Sequence, residues 1–368
     1  MFKITHKDKK TKARIGLLKT KSGTIETPFF MPVATKAAVK YISTKELQDI
    51  EVPAVISNTF ILHLKPSEKI IKKLGGIKKY MNFNGINVTD SGGFQMYSPS
   101  LYLKSDSKGV WFKNPFNGSK LHITPEKDME IQLDINADIA MCLDTMPLIE
   151  HSKEDIEKAV NQTYEWAKRC KKHHDKHNKS GQLLFGICQG GIHKDLRKLS
   201  AAQISSIDFD GLAIGGLALG EKKQDEYKMI DVAKSVYPED KPCYLMGAGD
   251  PIELLEAISR GCDMFDSRFP TQNARRGTLF TSKGRLRIFN AKYKKDSKPI
   301  DKTCKCYACK NFSRGYIRTL LLDEEPIGRR LASIHNIYFL TNLMEQAKTA
   351  IRKQKFKEFL NKMKKIYS

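Results

Sequence analysis

The chain has no run of residues apolar enough to cross a membrane. Its longest weakly polar stretch, Gly211 to Gly220, is about half of what a spanning helix needs. The N-terminus, Met1-Phe2-Lys3-Ile4-Thr5-His6-Lys7-Asp8-Lys9-Lys10, lacks an apolar signal region, so a cytoplasmic protein with no membrane partner is expected. Acid is scarce as well. Asp and Glu number 41 against 64 Lys and Arg, a formal net charge of +23. That imbalance predicts a polyanionic partner. Nucleic acid is favoured over membrane, because no strongly amphipathic basic terminus stands alone. The eight cysteines are scattered except for one tight cluster. In a reducing compartment this predicts a metal site and free thiols and excludes a disulfide framework.

What is present has a rhythm. Residues 2 to 27 alternate in short runs with a turn at Lys21-Ser22-Gly23-Thr24, which predicts an antiparallel cap over residues 1–28. Eight short apolar runs follow: Phe29–Ala34, Pro53–Thr59, Asn87–Gly93, Asp138–Asp144, Leu183–Gln189, Gly211–Gly216, Cys243–Gly247 and Asp263–Asp266. Helical segments separate them, with start signals at Ser43-x-x-Glu46, Thr124-Pro125 and Ser152-x-x-Asp155. Apolar runs without alternation suit parallel strands buried on both faces. Residues 29–268 span 240 positions, close to the roughly 250 of a (β/α)8 barrel. The fold expected is α/β: a (β/α)8 TIM barrel with an N-terminal antiparallel cap and a C-terminal zinc-binding subdomain over residues 269–368. Mixed aromatic and polar residues at about 94–123 predict a small antiparallel insertion.

Barrel chemistry sits at the C-terminal strand ends. There the sequence places Asp90-Ser91, Asp144, Gln189, Gly215-Gly216, Met246-Gly247 and Asp266. No histidine is among them, which argues against a metal hydrolase. Three acids and an amide suit either sugar chemistry through a carboxylate pair or recognition of a flat polar ligand. Asp266 is followed by a polar segment that Pro270 breaks and that carries Arg275-Arg276. It reads as a loop placing cations beside a catalytic acid. Farther on, Cys304-x-Cys306-x-x-Cys309, with His335 26 residues later in a helical stretch, makes a closed tetrahedral Zn²⁺ set with no open position, hence structural. The basic tail from Lys348 to Lys365 is either a solvated helix face or an RNA-backbone contact.

Several of these motifs together resemble the queuine/preQ1 tRNA-guanine transglycosylase family in its bacterial form. The resemblance is carried by Asp90-Ser91-Gly92-Gly93-Phe94-Gln95, Gly186-Ile187-Cys188-Gln189-Gly190-Gly191 and Gly215-Gly216-Leu217-Ala218-Leu219-Gly220-Glu221. Met264-Phe265-Asp266, Pro270-Thr271-x-Asn273-x-Arg275-x-Gly277 and the Cys304/Cys306/Cys309/His335 set extend it nearly end to end. It implies exchange of guanine 34 in the anticodon of tRNAs for Tyr, His, Asn and Asp for preQ1. Asp266 would be the nucleophile on C1′ and Asp90 the general acid/base. Ser91, Asp144, Gln189, Gly215, Gly216 and Leu217 would bind the base, with Phe94 and Met246 stacking on it. Thr271, Gln272, Asn273, Arg275 and Arg276 would contact tRNA, and the protein would be a homodimer with one structural zinc per subunit.

Some residues depart from the family's pattern. Phe94 stands where bacterial members usually have Tyr, and Thr145-Met146-Pro147 where Glu-Cys-Thr-Pro is usual. Leu219 replaces a common Val, and Arg268 and Gln272 differ from the usual loop. The bulk of Met146 and Leu219 predicts a pocket too small for queuine's cyclopentene ring. Two binding readings compete with catalysis: a non-catalytic tRNA-binding subunit, and a zinc-stabilised RNA-binding protein. An archaeal-type enzyme acting on the D-loop would need appended RNA-binding domains beyond this chain's end.

Overall fold

The computed structural model describes residues 2–92, 96–98, 100–146 and 151–367. Strands β1 (Phe2–Lys7), β2 (Arg14–Thr20) and β3 (Gly23–Glu26) form the antiparallel cap. A buried ion pair pins it under the barrel. Arg14 Nε and Nη2 donate to the two oxygens of Asp263 at 3.0 and 2.6 Å, and Arg14 Nη1 and Nη2 also donate to the carbonyls of Glu239 and Lys241. Every partner is bonded, which is what makes such a buried pair tolerable.

The barrel strands are β4 (Phe29–Pro32), β5 (Ala54–Asn58), β6 (Ile86–Asp90), β10 (Ile139–Met141), β11 (Leu183–Cys188), β12 (Gly211–Ile214), β13 (Cys243–Leu245) and β14 (Met264–Ser267). They pair in parallel in the order β4-β14-β13-β12-β11-β10-β6-β5. A parallel bridge between Val33 and Ile56, with Ala34 N donating to Ile56 O at 2.7 Å, draws β4 and β5 together. The apolar runs are the strands because each is covered by neighbours on both faces. Phe29, Phe30, Val55, Ala140, Phe185, Ala213, Tyr244 and Phe265 are all buried. The insertion folds as the antiparallel strands β7 (Tyr102–Asp106), β8 (Gly109–Lys113) and β9 (Lys120–Ile123). The start signals hold. Ser43 and Glu46 form a capping box, and Thr124 and Ser152 accept the N–H of the residue three positions on.

One expectation is corrected. The segment after β14, read as a Pro-broken loop, is a helix, Phe269–Arg275. Pro270 sits in its first turn, where a missing N–H costs no helical bond. Asn336 fixes the helix from outside, donating from Nδ2 to Pro270 O and Thr278 O at 3.0 Å while its Oδ1 accepts from Phe280 N. Beyond it come the hairpin β15 (Thr278–Thr281) and β16 (Gly284–Arg287), a short helix Tyr307–Asn311, and the helices Arg314–Leu322, Pro326–Arg352 and Phe356–Tyr367. Three basic residues of the tail are spoken for within the chain. Lys348 pairs with Glu26 and Glu345, Arg352 with Glu26, and Lys364 with Glu256.

Candidate active site and metal centre

Parallel strands deliver their C-terminal ends to one mouth, so Asp90, Asp144 and Asp266 share it although far apart in sequence. Asp266 accepts two bonds on one oxygen: Tyr244 O–H at 2.5 Å and Gly247 N–H at 2.9 Å, both to Oδ1. Among the described residues no donor reaches Oδ2. Burial raises its pKa, and the two donors oppose that rise. Asp90 takes Asn58 Nδ2 at 3.0 Å on one oxygen and the N–H groups of Thr59 and Gly92 at 3.2 and 3.1 Å on the other. Its pKa is nevertheless pushed up to about 7, chiefly by burial and further by the charge of Asp266. Gly92 has φ +77°, and a Cβ there would lie 2.2 Å from Phe60 Cβ; only glycine lets the chain turn back onto Asp90.

A second polar group lies across β10 to β12. Asp144 accepts Gln189 Nε2 at 2.6 Å and Ser91 Oγ at 3.4 Å, and burial raises its pKa to about 6. Gln189 is fully buried, and among the described residues its Oε1 has no partner. A buried acceptor left open beside a carboxylate fits an incoming ligand that donates to one and bonds the other. Gly216, at φ +65°, lies against that oxygen, since a Cβ would come within 2.4 Å of it. Leu217 is buried, Met246 and Gly216 are half-buried, and Gly215 is held through its carbonyl. Thr145, one of the departures, turns away into the long helix Lys153–His177, sharing a 2.7 Å bond with Thr163. Phe94 and Pro147 lie outside the described residues.

Three supporting side chains escaped the sequence reading. Tyr244 and Asn58 hold the two acids. Arg197, buried in the helix Lys194–Ser205, donates to the carbonyls of Cys188, Gly191 and Gly215 at 3.1, 2.9 and 2.8 Å. It ties the Gln189 and Gly215 loops to one anchor.

The five residues assigned to tRNA divide. Thr271 and Asn273 spend their side chains on the carbonyls of Arg268 and Phe269. Gln272 accepts from Arg276 at 3.2 and 3.3 Å once its amide is oriented to face it. Arg275 lies 5.9 Å from the centroid of the Tyr41 ring, whose hydroxyl also accepts from Arg329 at 3.3 Å. Arg275 Nη1 is buried without a partner among the described residues. Burial pushes the Arg275 pKa down, and Arg276, Arg329 and Arg268 push the same way. Arg268, Arg276 and Arg329 thus bear on Arg275; Arg329 already meets Glu324 at 3.2 Å, and an anion would relieve the others.

Cys304, Cys306, Cys309 and His335 bring their ligand atoms within 4.8 Å of one another. The sulfurs lie 3.6, 3.6 and 3.3 Å from His335 Nδ1. A tetrahedral ion with bonds of about 2.3 Å to sulfur and about 2.0 Å to nitrogen sets such edges at about 3.6 Å. His335 Nε2 meets Phe280 O at 2.7 Å, which fixes Nδ1 as the free lone pair. The donor set therefore fits a closed metal site.

The family model described as Queuine tRNA-ribosyltransferase matches residues 8–368. A queuine tRNA-ribosyltransferase of Lysinibacillus sphaericus is 46% identical over 358 residues, covering 97% of this chain and 93% of that protein. One from Staphylococcus aureus (strain bovine RF122) is 48% identical over 351 residues, 95% and 92% of the two chains. One from Fusobacterium nucleatum is 46% identical over 368 residues, 99% and 98%.

Proposed function

The chain belongs to the queuine tRNA-ribosyltransferase family of tRNA-modifying transferases, and on that premise we propose that it exchanges guanine 34 in the anticodons of tRNAs for Tyr, His, Asn and Asp for preQ1. The observation that carries this reading is the pair of differently held strand-end acids. Asp266, with Oδ1 tethered by Tyr244 and Gly247, offers Oδ2 to C1′ of the ribose. As the C1′–O bond to Asp266 forms, the C1′–N9 bond breaks. Its electrons leave with guanine, which takes a proton from Asp90. The incoming base returns a proton to Asp90 and attacks C1′, freeing Asp266. Two displacements give retention. Asp144, Gln189, Ser91 and the Gly215–Leu217 backbone hold the base, and Met246 packs on it.

The ion we assign to the Cys304/Cys306/Cys309/His335 set is structural Zn²⁺, supported by its thiolate-rich, closed geometry. The crowded Arg268, Arg275, Arg276 and Arg329 support the anticodon backbone as their partner. A homodimer is the assembly we infer. Tyr307 and Tyr316 are 55% and 47% exposed, and both pack on Phe312 beside the metal centre. Eight cysteines outside any disulfide, three of them in the metal set, and a tRNA substrate support the cytoplasm.

Labelled guanine should enter an unmodified tRNA-Tyr transcript and be chased out by preQ1. Queuine should not replace it, on the argument that the bulk of Met146 and Leu219 leaves too small a pocket for its ring. No guanine incorporation would sink the reading, and efficient queuine incorporation would sink the pocket argument.

The pH dependence has a sign. Asp90 holds its proton below about pH 7 and loses it above, so departure of guanine should slow as pH rises through that value. Asp266 must be ionised, so the rate also falls toward acid, giving a bell. Stability follows the same group. Asp90 binds its proton more tightly folded than unfolded, so its contribution to stability declines as pH rises between about pH 4 and about pH 7. Asp90→Asn should therefore lose exchange, and its Tm relative to wild type should be about 3 °C more favourable at pH 8 than at pH 4, a comparison that cancels the pH-independent cost of facing an amide nitrogen toward a donor that now bonds the carboxylate. A Tm difference that does not change between pH 4 and pH 8 would show that the carboxylate is not strained by its surroundings.

A further inference from the structure

The insertion sheet has two unlike faces. On the inner one Val110, Phe112 and Ile123 are buried, and Phe112 meets Phe60 edge-on with centroids 4.7 Å apart. Phe60 lies two residues past Asn58, which holds Asp90, and abuts Gly92. The sheet is thereby clamped onto the loops that carry the catalytic acid, at the barrel mouth.

The outer face is cationic and aromatic. Directly paired residues of antiparallel strands share a face. Lys104 pairs with Trp111, Trp111 with His122, and Lys113 with Lys120. Alternation puts Trp111 and Lys113 on the same side, and Lys104, Lys113 and Lys120 are exposed. Trp111 and His122 stack with centroids 3.9 Å apart and planes 7° from parallel, and Lys104 Nζ lies 5.5 Å from the Trp111 centroid. At the hairpin tip Phe116 is 51% exposed, with Lys65 Nζ 5.8 Å from its ring centre. Asp106, 3.5 Å from Lys104, offsets one of these charges. Like charges directly opposite on a sheet are unfavourable, so the Lys113–Lys120 pair costs the free protein stability that a polyanion would restore. His122 registers the same field. Burial chiefly lowers its pKa, and Lys104, Lys108 and Arg169 add to that while Asp106 opposes.

We propose that this outer face, with Lys104, Lys113 and Lys120 ranged around the Trp111–His122 stack and Phe116 at its tip, grips the tRNA backbone outside the nucleotide being exchanged. The inference rests on the tRNA reading above and adds a second, sequence-independent contact to it. Lysines reach phosphates as point charges, and an exposed ring accepts any base face. A rigid sheet bolted to the Asp90 loop would hold the bound tRNA in register with the catalytic acid.

The test uses the full chain carrying Lys104→Ala, Lys113→Ala and Lys120→Ala together, and separately Phe116→Ala, whose exposed side chain supports no core. Guanine exchange into tRNA-Tyr should show a tRNA KM raised about tenfold in the triple variant. The slope of log KM against log salt should shrink by about two. Phe116→Ala should raise the tRNA KM about fivefold. The guanine KM and kcat should not move. Unchanged tRNA KM and salt slope in the triple variant would overturn the proposal. A fall in kcat at constant tRNA KM would instead make the sheet only a support for the Asp90 loop. A change in sedimentation of the protein alone, with tRNA KM unaltered, would assign the face to a second copy. Filter binding of tRNA separates this inference from the one beneath it. Wild type that binds tRNA through these lysines yet exchanges no guanine overturns the catalytic reading and leaves the surface standing.

Discussion

Asp266→Asn is expected to cut guanine exchange by about 10⁴-fold while leaving tRNA affinity within about twofold. The asymmetry follows from how the side chain is held. An Asn carbonyl oxygen can still accept from Tyr244 O–H and Gly247 N–H, so the two bonds that orient residue 266 survive. What is lost is the anionic oxygen that would bond to C1′. A stalling base analogue mixed with tRNA-Tyr and wild-type protein should give a shifted protein–RNA band on a denaturing gel, and Asp266→Asn should give none. A band that persists would place the nucleophile on another acid. Asp144 is the poorer alternative, because both of its oxygens are already engaged by Gln189 and Ser91. Asp90 is poorer too, since a carboxyl with a pKa of about 7 is in large part protonated at neutral pH. Absence of a band in both proteins, with no exchange, would favour a tRNA-binding protein without catalysis.

The mouth of the barrel was legible because its carboxylates follow apolar stretches at or near the ends of the runs. A strand buried on both faces has no reason to finish in Asp unless the chain leaves the core there, so Asp90, Asp144 and Asp266 stood out before any contact was known. The groups that tune them did not. Tyr244 lies inside the Cys243–Gly247 run and reads as core, and only pairing of β13 with β14 brings its hydroxyl to Asp266. Arg197 sits in a helix with basic neighbours, where a guanidinium normally points to water. Its burial is decided by three carbonyls from two other loops. The helix Phe269–Arg275 was missed for a related reason. Pro270 signals both an interruption and a helix start, and the choice is settled by Asn336, 66 residues away. Local pattern located the strand ends and caps; contacts made by closure of the fold had no local signature.

Cys306→Ser should lower Tm by about 10 °C and leave kcat of the folded fraction within about twofold. Cys306 is both a donor atom of the metal set and the cap of the Tyr307–Asn311 helix, its sulfur accepting Cys309 N–H at 3.5 Å. Losing it removes one of four ligands and the end of a helix at once. The destabilisation should spread, because His335 lies in the helix Pro326–Arg352, whose Asn336 anchors the segment next to Asp266. Exchange chemistry should persist in whatever remains folded, since the donor set offers no open position and none of its residues reaches the strand-end acids. Chelation of wild type provides the matching experiment without a mutation. It should reproduce the fall in Tm, and zinc should restore it. Chelated protein that keeps its full Tm would remove the structural assignment, and chelated protein that keeps its Tm but loses exchange would move the metal into the chemistry.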